Sequence, residues 1–160
     1  MGEIRNIRGE VIATFNGRLR EVPFTLANRS LAEADFENAV LEGAQFDEVD
    51  LHGACFRGAD LYWGCFFLAN LEGADCQGAS FRGADLKCCN LRNANLRGAD
   101  FSRDNVGGQT DLCEAILIGA DFRDADLTDA DFRGATYDSA TKFPDGFDPV
   151  ARGLVRNGRK

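Results

Sequence analysis

The chain has 160 residues and a formal net charge of −8, with 44% hydrophobic and 28% charged residues. These values suit one domain with a substantial core, and such acidity argues against direct binding to nucleic acid. No stretch approaches the roughly 20 apolar residues of a membrane span. The opening MGEIRNIRGEVIATF lacks the apolar run of a signal peptide, so we expect a cytoplasmic protein without a membrane partner.

Residues 1–24 are predicted to form an N-terminal cap, because they lack the repeat that fills the rest of the chain. The stretch Val11–Phe15 has the composition of a strand. Asn16 and Gly17 follow it and favour a tight turn, so residues 18–24 would return as the second strand of a hairpin. A stack of repeats exposes its core at each end and needs such a cover.

Residues 25–139 repeat with a period of five, as in ACFRG at 54–58. The central positions run from Leu26 to Val106 in steps of five and, after a one-residue slip near 107–109, from Leu112 to Tyr137. They number 23, of which Leu or Phe fills 20, and Ala fills 16 of the positions two residues earlier. This regularity predicts one solenoid domain.

A period of five fits neither a helix nor a flat strand. Five residues rotate a helix by about 140°, and an odd period alternates between the faces of a strand. The central residues stay inside only if the chain turns a corner at every repeat. Gly, which tolerates positive φ, occupies the corner position in 10 of 23 repeats. The period alone leaves three or four sides open.

The pattern of Ala, Asp or Asn, Leu or Phe, and two variable residues resembles the pentapeptide-repeat family. The resemblance implies an all-β fold, a right-handed four-sided β-helix about six coils tall. Residues 140–160, with prolines and aromatics, are predicted to form an irregular C-terminal cap and tail. A period of 20 residues predicts an inner ladder and an outer ladder. The inner ladder is Leu31, Leu51, Leu71, Leu91, Leu112, Phe132, and the outer ladder is Ser30, Asp50, Asn70, Asn90, Asp111, Asp131.

The residues with reactive side chains form no recognisable catalytic motif. The single histidine, His52, has no Ser and Asp set around it in the repeat, and there is no phosphate loop or dinucleotide fingerprint. We therefore predict a protein that is not an enzyme and has no cofactor or metal site. Gly107 and Gly108 at the slip favour a bulge, with a ligand-binding loop as the alternative.

The six cysteines are predicted to be free thiols, because a cytoplasmic chain is not expected to carry disulfides. Their positions in the repeat separate them into two groups. Those expected to point inward are Cys76 and Cys89, and those expected to point outward are Cys55, Cys65, Cys88 and Cys113.

One coil carries apolar side chains at outward positions, and these define the aromatic patch. Its residues are Tyr62, Trp63, Cys65, Phe67 and Leu68. Such a cluster on adjoining faces predicts a protein interface. Glu42 and Asp47 are expected one coil below it. Arg82 and Lys87 are expected one coil above, so the rim has both signs and a homodimer fits. The alternative is that the N-terminal segment covers the patch.

Two functions fit these predictions. The first is a protein-interaction scaffold with a protein partner that the sequence does not identify. The second follows from similarity to the quinolone-protection members of the family, acidic rods that occupy the DNA site of gyrase. It predicts a DNA-mimicking inhibitor or protector of a type II topoisomerase, DNA gyrase. The acidic surface of Glu42, Asp47, Glu48 and Asp50 favours it, whereas a neutral, Arg-bearing waist and the lack of a long loop oppose it.

Overall fold

The computed structural model describes residues 2–15 and 30–158. Four short strands are present within them: β1 (Gly2–Arg5), β2 (Val11–Phe15), β3 (Thr136–Tyr137) and β4 (Val155–Arg156). β1 pairs antiparallel with β2, and β3 pairs parallel with β4. None of the described residues belongs to a helix of the length and apolarity needed to cross a membrane.

From residue 30 onward the chain winds into coils joined by isolated parallel bridges. Through residue 100 each bridge links a residue to the one 20 positions later, as in Ser30 with Asp50 and Asp50 with Asn70. The N–H of Leu51 donates to the carbonyl of Asn70 at 2.8 Å, and the same bond recurs in coil after coil. Because each repeat has five residues, every fourth repeat stacks and the wall of this β-helix has four faces. We number them by their first central residue: Leu31, Phe36, Leu41 and Phe46 begin faces 1 to 4.

The interior is filled by the central Leu and Phe side chains. Leu51 and Phe56 are fully buried, and the residues two positions earlier, Val49 and Ala54, are buried beside them. Phe rings stack between successive coils, with centroids 5.2 Å apart for Phe46 and Phe66. Burial of each such side chain contributes roughly 1.5–3 kcal/mol before conformational entropy is subtracted. The five-residue period thus places one continuous apolar core on the axis of the column.

The corners between faces use left-handed backbone. Gly occupies many of them, for example Gly53 at φ +65°, and Asn93 at φ +55° is well tolerated there. Two bulky apolar residues adopt the same conformation, Trp63 at φ +55° and Leu68 at φ +56°. A side chain in this region costs roughly 1–2 kcal/mol relative to right-handed backbone, so neither residue is placed there by local preference.

The irregularity after Phe101 is larger than the predicted one-residue slip near 107–109. The bridge from Asp85 to Asp111 spans 26 residues instead of 20, so six extra residues leave the wall. We call them the 104–109 loop. Val106, predicted to be a buried central residue, is 80% exposed on it. The one-residue prediction was wrong because it kept every repeat in the wall, whereas one whole repeat and one further residue are expelled.

This expulsion moves every later repeat by one face relative to the predicted ladders. Asn90 bridges to Ile116, so Leu91 stacks against Leu117 and not against Leu112. The predicted outer ladder is wrong in the same way: Asp111 and Asp131 continue from Asp85 on face 4. When one repeat of a β-helix leaves the wall as a loop, the next repeat takes its place in the coil.

The described N-terminal residues lie against the first coil. β2 is the predicted strand, but its described partner is β1, and residues 18–24 lie outside the described part of the chain. The N–H of Ile7 donates to the carbonyl of Glu33 at 2.8 Å, and the N–H of Asp35 donates to Arg5 at 2.7 Å. Ile4 is buried in the core beneath them.

The C-terminal segment packs on the last coil. Phe143 stacks on Phe122 with centroids 5.8 Å apart, so an aromatic side chain covers the end of one ladder. One guanidinium nitrogen of Arg152 donates to the carbonyls of Leu127 at 3.1 Å and Ala130 at 2.8 Å. In the coils before, the carbonyl at the position of Ala130 accepts from the next coil. At this end no regular coil follows, so Arg152 supplies the donor.

Candidate interaction surface

The five residues of the aromatic patch lie on one coil, across faces 3 and 4. Trp63 is 46% exposed, Phe67 36% and Leu68 49%, while Tyr62 and Cys65 are half-buried. The residues between them point inward: Leu61, Gly64 and Phe66 are buried. The structure therefore brings the predicted patch residues together at the surface.

The indole of Trp63 is held on several sides. Its ring lies 4.9 Å from that of Tyr62 with an interplanar angle of 30°. Gly83 lies against it on the coil above, where a Cβ would be only 2.7 Å from Trp63 Cδ1, so this close approach requires glycine. The Nε1–H of Trp63 donates to Oδ2 of Asp104 at 2.5 Å. The exposed part of the ring is thus presented in a fixed orientation.

Asp104 joins the 104–109 loop to the patch. Its Oδ1 accepts from the backbone N–H groups of Val106 at 2.8 Å and Gly108 at 2.7 Å. The hydrogen bond from Trp63 is the main cause of the lowered pKa of Asp104. These backbone hydrogen bonds lower it further. An ionised carboxylate is an acceptor only, which matches its three donors. Asp104 therefore fixes the loop and the indole at once.

The 104–109 loop contacts the patch through Asp104, whereas the backbone hydrogen bonds of the described N-terminal residues run to the first coil. Residues 2–15 bond to the first coil at Glu33 and Asp35, on faces 1 and 2. The remainder of the predicted N-terminal cover, residues 16–24, lies outside the described residues. Sequence reasoning also expected that no long loop leaves the coils, and the 104–109 loop corrects this.

The base of the loop is closed by a buried hydroxyl. Thr110 Oγ1 accepts from the N–H of Gly83 and lies within hydrogen-bond distance of the carbonyl of Phe81, at 3.0 Å in both cases. Arg82 donates from Nη2 to Oδ1 of Asn105 at 3.0 Å and to the carbonyl of Arg103 at 3.3 Å. Arg82 was predicted as an upper rim charge, and the structure directs its guanidinium to the loop.

The acidic surface lies on the coil below the patch. Glu42 and Glu48 are exposed, and no hydrogen bond or ion pair reaches their carboxylates from the described residues. Asp47 accepts from the N–H of Phe67 at 3.0 Å, and burial is the main cause of its raised pKa. Asp50 lies on face 1, apart from these three. Burial by itself would raise the pKa of Asp50, but hydrogen bonds from His52 and Asn70 outweigh it and lower that pKa.

The cysteines follow their repeat positions with one exception. Cys76 and Cys89 are fully buried, and burial raises the pKa of both thiols. Cys55, predicted to point outward, is only 9% exposed because its ladder places it between Asp35 and Asp75. Burial, together with the neighbouring carboxylates, raises the pKa of Cys113 to about 12. Such thiols are weak nucleophiles and poor metal ligands.

No group of three His, Cys, Asp or Glu side chains within residues 2–15 and 30–158 is arranged to hold a metal ion. All six cysteines are free thiols in this structure. The absence of a disulfide in the isolated protein stays a prediction.

Sequence reasoning missed the loop residues that complete the surface. The signal was present at the two inward positions of one repeat, the small one and the central one. Asp104 stands where Ala would precede a central residue, and that central residue is Val106 and not Leu or Phe. Two consecutive failures of the pattern indicate that the repeat has left the wall.

Comparison with known families identifies the repeat. A family model described as pentapeptide repeats matches eight copies over residues 30–61, 65–103 and 108–136, well over half of the chain. The protein therefore belongs to the pentapeptide repeat family, and its fold is a right-handed β-helix. The match is interrupted at 62–64 and 104–107. These two interruptions contain Trp63 and Asp104, which contact each other.

Several solved structures share the repeat. HetL, a pentapeptide repeat protein involved in heterocyst differentiation regulation in the cyanobacterium Nostoc sp. strain PCC 7120, is 30% identical over 68% of this chain and 48% of its own, with a TM-score of 0.37. The chain thus spans about half the length of HetL. The Nostoc PCC 7120 protein alr5209 is 32% identical over 77% of this chain and 84% of its own, with a TM-score of 0.28.

Full-length QnrB1, a plasmid-mediated fluoroquinolone resistance protein, is 16% identical over 80% of this chain and 79% of its own, with a TM-score of 0.25. All three TM-scores are below 0.5, so the family assignment rests on the family model. A search of curated protein sequences finds no match.

Proposed function

We propose that this protein is a non-catalytic interaction scaffold, and that its aromatic patch binds a protein partner. One observation carries this proposal. Trp63 and Leu68 are bulky, apolar and about half exposed, and both stand in left-handed backbone at corners where Gly is common. Folding gains little from such residues there. Backbone strain at an exposed apolar site supports a role in binding.

The rigidity of the patch supports the same function. Trp63 is fixed by Tyr62, Gly83 and Asp104 before any partner arrives. A side chain already held in one orientation loses little entropy on binding, and Trp and Tyr are the residues most enriched among binding hot spots. The patch is therefore suited to be the centre of an interface.

The rest of the chain supports the patch in this proposal. Of the described residues, 30–139 form the four-sided column, 2–15 cover its first coil and 140–158 cover its last. The acidic surface gives the partner a charged rim. We place the protein in the cytoplasm, where its thiols stay reduced.

The proposal is tested by site-specific photo-crosslinking in the cells that make the protein. Phe67 is exchanged for p-benzoylphenylalanine, and the control places the same group at Gln77, an exposed residue on the opposite face. We expect a discrete adduct from position 67 and none from position 77. An adduct of twice the chain's mass identifies a second copy, and another mass identifies a different protein. Equal adducts from both positions, or none from either, would overturn the proposal.

The DNA-mimic function is a second candidate, favoured by the corrected register. Asp85, Asp111 and Asp131 are consecutive in one ladder on face 4, with no Asn between them. One arginine of the neutral waist is also paired with an acid, because Arg97 Nη2 lies 3.2 Å from Asp124 Oδ2. A DNA supercoiling assay with gyrase tests this function. It requires inhibition by stoichiometric wild-type protein, weakened when Glu42, Asp47 and Glu48 are changed to Gln or Asn. Unaffected supercoiling excludes it.

A further inference from the structure

An open groove lies beside the aromatic patch on face 3, with a cavity volume of about 370 Å³. Its lining residues are Glu42, Asp60, Tyr62, Ser80, Arg82 and Asn105. This volume is at the lower end of the range for ligand sites and suits a single side chain better than a whole cofactor. Tyr62 belongs to both the groove and the patch, so the two form one continuous surface.

The open charges of this groove are negative. The carboxylate of Glu42 has no hydrogen-bond or ion-pair partner among the described residues, and that of Asp60 accepts only from the N–H of Tyr62 at 3.2 Å. The one cation in the lining, Arg82, is occupied: it donates to Asn105 at 3.0 Å, and its Nε lies 3.8 Å from Asp100. Two carboxylates are therefore left to act on a ligand.

We propose that the groove binds the guanidinium or ammonium group of an Arg or Lys side chain on the partner protein. An apolar side chain next to that residue packs on Trp63. This inference rests on the proposed function of the patch and specifies the partner's chemistry. The carboxylates of Glu42 and Asp60 supply the charge. The ring of Tyr62 supplies a face for the cation, and Ser80 supplies a neutral acceptor.

Charge complementarity favours a basic partner over a second copy of this chain. The patch is bordered below by Glu42, Asp47 and Glu48, and the cation on its upper rim that remains without an ion pair is Lys87. Two copies related by a two-fold axis would bring more acids than bases into one interface. Like charges facing each other across an interface oppose association.

The test uses two acetylated, amidated peptides without aromatic residues, Gly-Arg-Leu-Arg-Gly and Gly-Glu-Leu-Glu-Gly. Binding is read from the fluorescence of Trp63, the chain's one tryptophan. We expect a saturable change with the basic peptide and none with the acidic one. Raising the salt concentration from about 0.05 M to about 0.5 M should weaken the response, because screening acts on exposed charges.

The deciding variant is Glu42→Gln with Asp60→Asn, which keeps the acceptor for Tyr62. We expect it to bind the basic peptide roughly tenfold more weakly, the loss of about 1.4 kcal/mol of binding free energy. Glu72→Gln, at an exposed residue on face 1, is the matched control and should bind like the wild type. The inference is overturned if the acidic peptide binds as well as the basic one, or if the double variant binds the basic peptide unchanged.

The two failures are distinguishable. If position 67 still crosslinks to a partner while the carboxylate variant binds the basic peptide unchanged, the docking function stands and the cation groove does not. If position 67 gives no specific adduct, the docking function itself is wrong.

Discussion

Trp63 donates its indole N–H to the carboxylate of Asp104, 41 residues later in the chain. The contact joins the most exposed aromatic ring of the wall to the one loop that leaves it among the described residues. Trp63, Tyr62 and the 104–109 loop are therefore one structural unit. Loss of this hydrogen bond should alter the surface without unfolding the column.

Changing Asp104→Ala should release the indole of Trp63. We expect a red-shifted emission and stronger quenching by acrylamide, because the ring loses its fixed acceptor and its loop. Asp104→Asn is the graded comparison, because it keeps one acceptor oxygen but turns a donor NH2 toward the remaining N–H groups, so we expect a smaller change than with Asp104→Ala. Identical quenching in wild type and Asp104→Ala would show that the bond does not hold the ring.

Leu68→Asn should leave the protein at least as stable as the wild type. Asn tolerates left-handed backbone, and Leu68 is 49% exposed, so little burial is lost. Leu68→Val is the comparison, because a β-branched residue is poorly suited to φ +56° and should lower the melting temperature. The same Leu68→Asn variant should lose the crosslinked partner. A larger loss of stability with Asn than with Val would contradict the strain argument.

Thr110→Val should destabilise the protein by about 1–3 kcal/mol, because the N–H of Gly83 loses its buried acceptor. Thr110→Ser retains the hydroxyl and should lose less. Chemical denaturation measures both. A loss of stability in Thr110→Val no larger than that in Thr110→Ser would contradict a dominant role of the hydroxyl at the base of the loop.

Arg152→Ala should destabilise the C-terminal end by about 1–3 kcal/mol, since two carbonyls lose a charged donor. The guanidinium also lies 5.5 Å from the ring centroid of Phe147, a cation–π contact that alanine cannot make. Arg156→Ala, four residues on, serves as a control because no hydrogen bond reaches that side chain from the described residues. Hydrogen exchange should show faster opening near Leu127 and Ala130 in the first variant only.

Acid should destabilise the column below about pH 4. Hydrogen bonds and charge from Arg123 and Arg133 lower the pKa values of Asp121 and Asp131 to about 2. A depressed carboxyl pKa adds stability that is complete above the unfolded-state value near 3.9 and is lost as the pH falls toward 2.

Denaturation midpoints between pH 5 and pH 2, in steps of about half a pH unit, measure this slope. Asp131→Asn should flatten it, and the exposed Asp145→Asn should not. An equal slope in wild type and Asp131→Asn would show that the carboxylate of Asp131 does not contribute to the acid sensitivity.

The sequence predicted the core well because the core depends on local chemistry. Leu31, Leu51 and Leu71 recur every 20 residues, and a bulky apolar side chain has a low free energy only on the inside of a coiled wall. The same periodicity placed Trp63 and Leu68 outside. Those assignments depend on spacing alone, so they could be made without a structure.

Beyond residue 101 the sequence was ambiguous. A slip of one residue and an expulsion of six leave the same five-residue phase for Leu112 and Leu117. They differ only in which face each repeat occupies. The difference is decided by whether the chain near Asp104 can find partners outside the wall, and those partners are distant in sequence.

The sequence by itself therefore determined the repeat, the buried Leu, Phe and Ala positions and the exposure of the aromatic patch, since each follows from a five-residue period. Only the tertiary structure decided that the 104–109 loop leaves the wall, that Asp111 stacks on Asp85, and that Asp104 holds Trp63. The physical reason is that a loop is stabilised by contacts between residues far apart in the chain, and a local pattern contains no record of them.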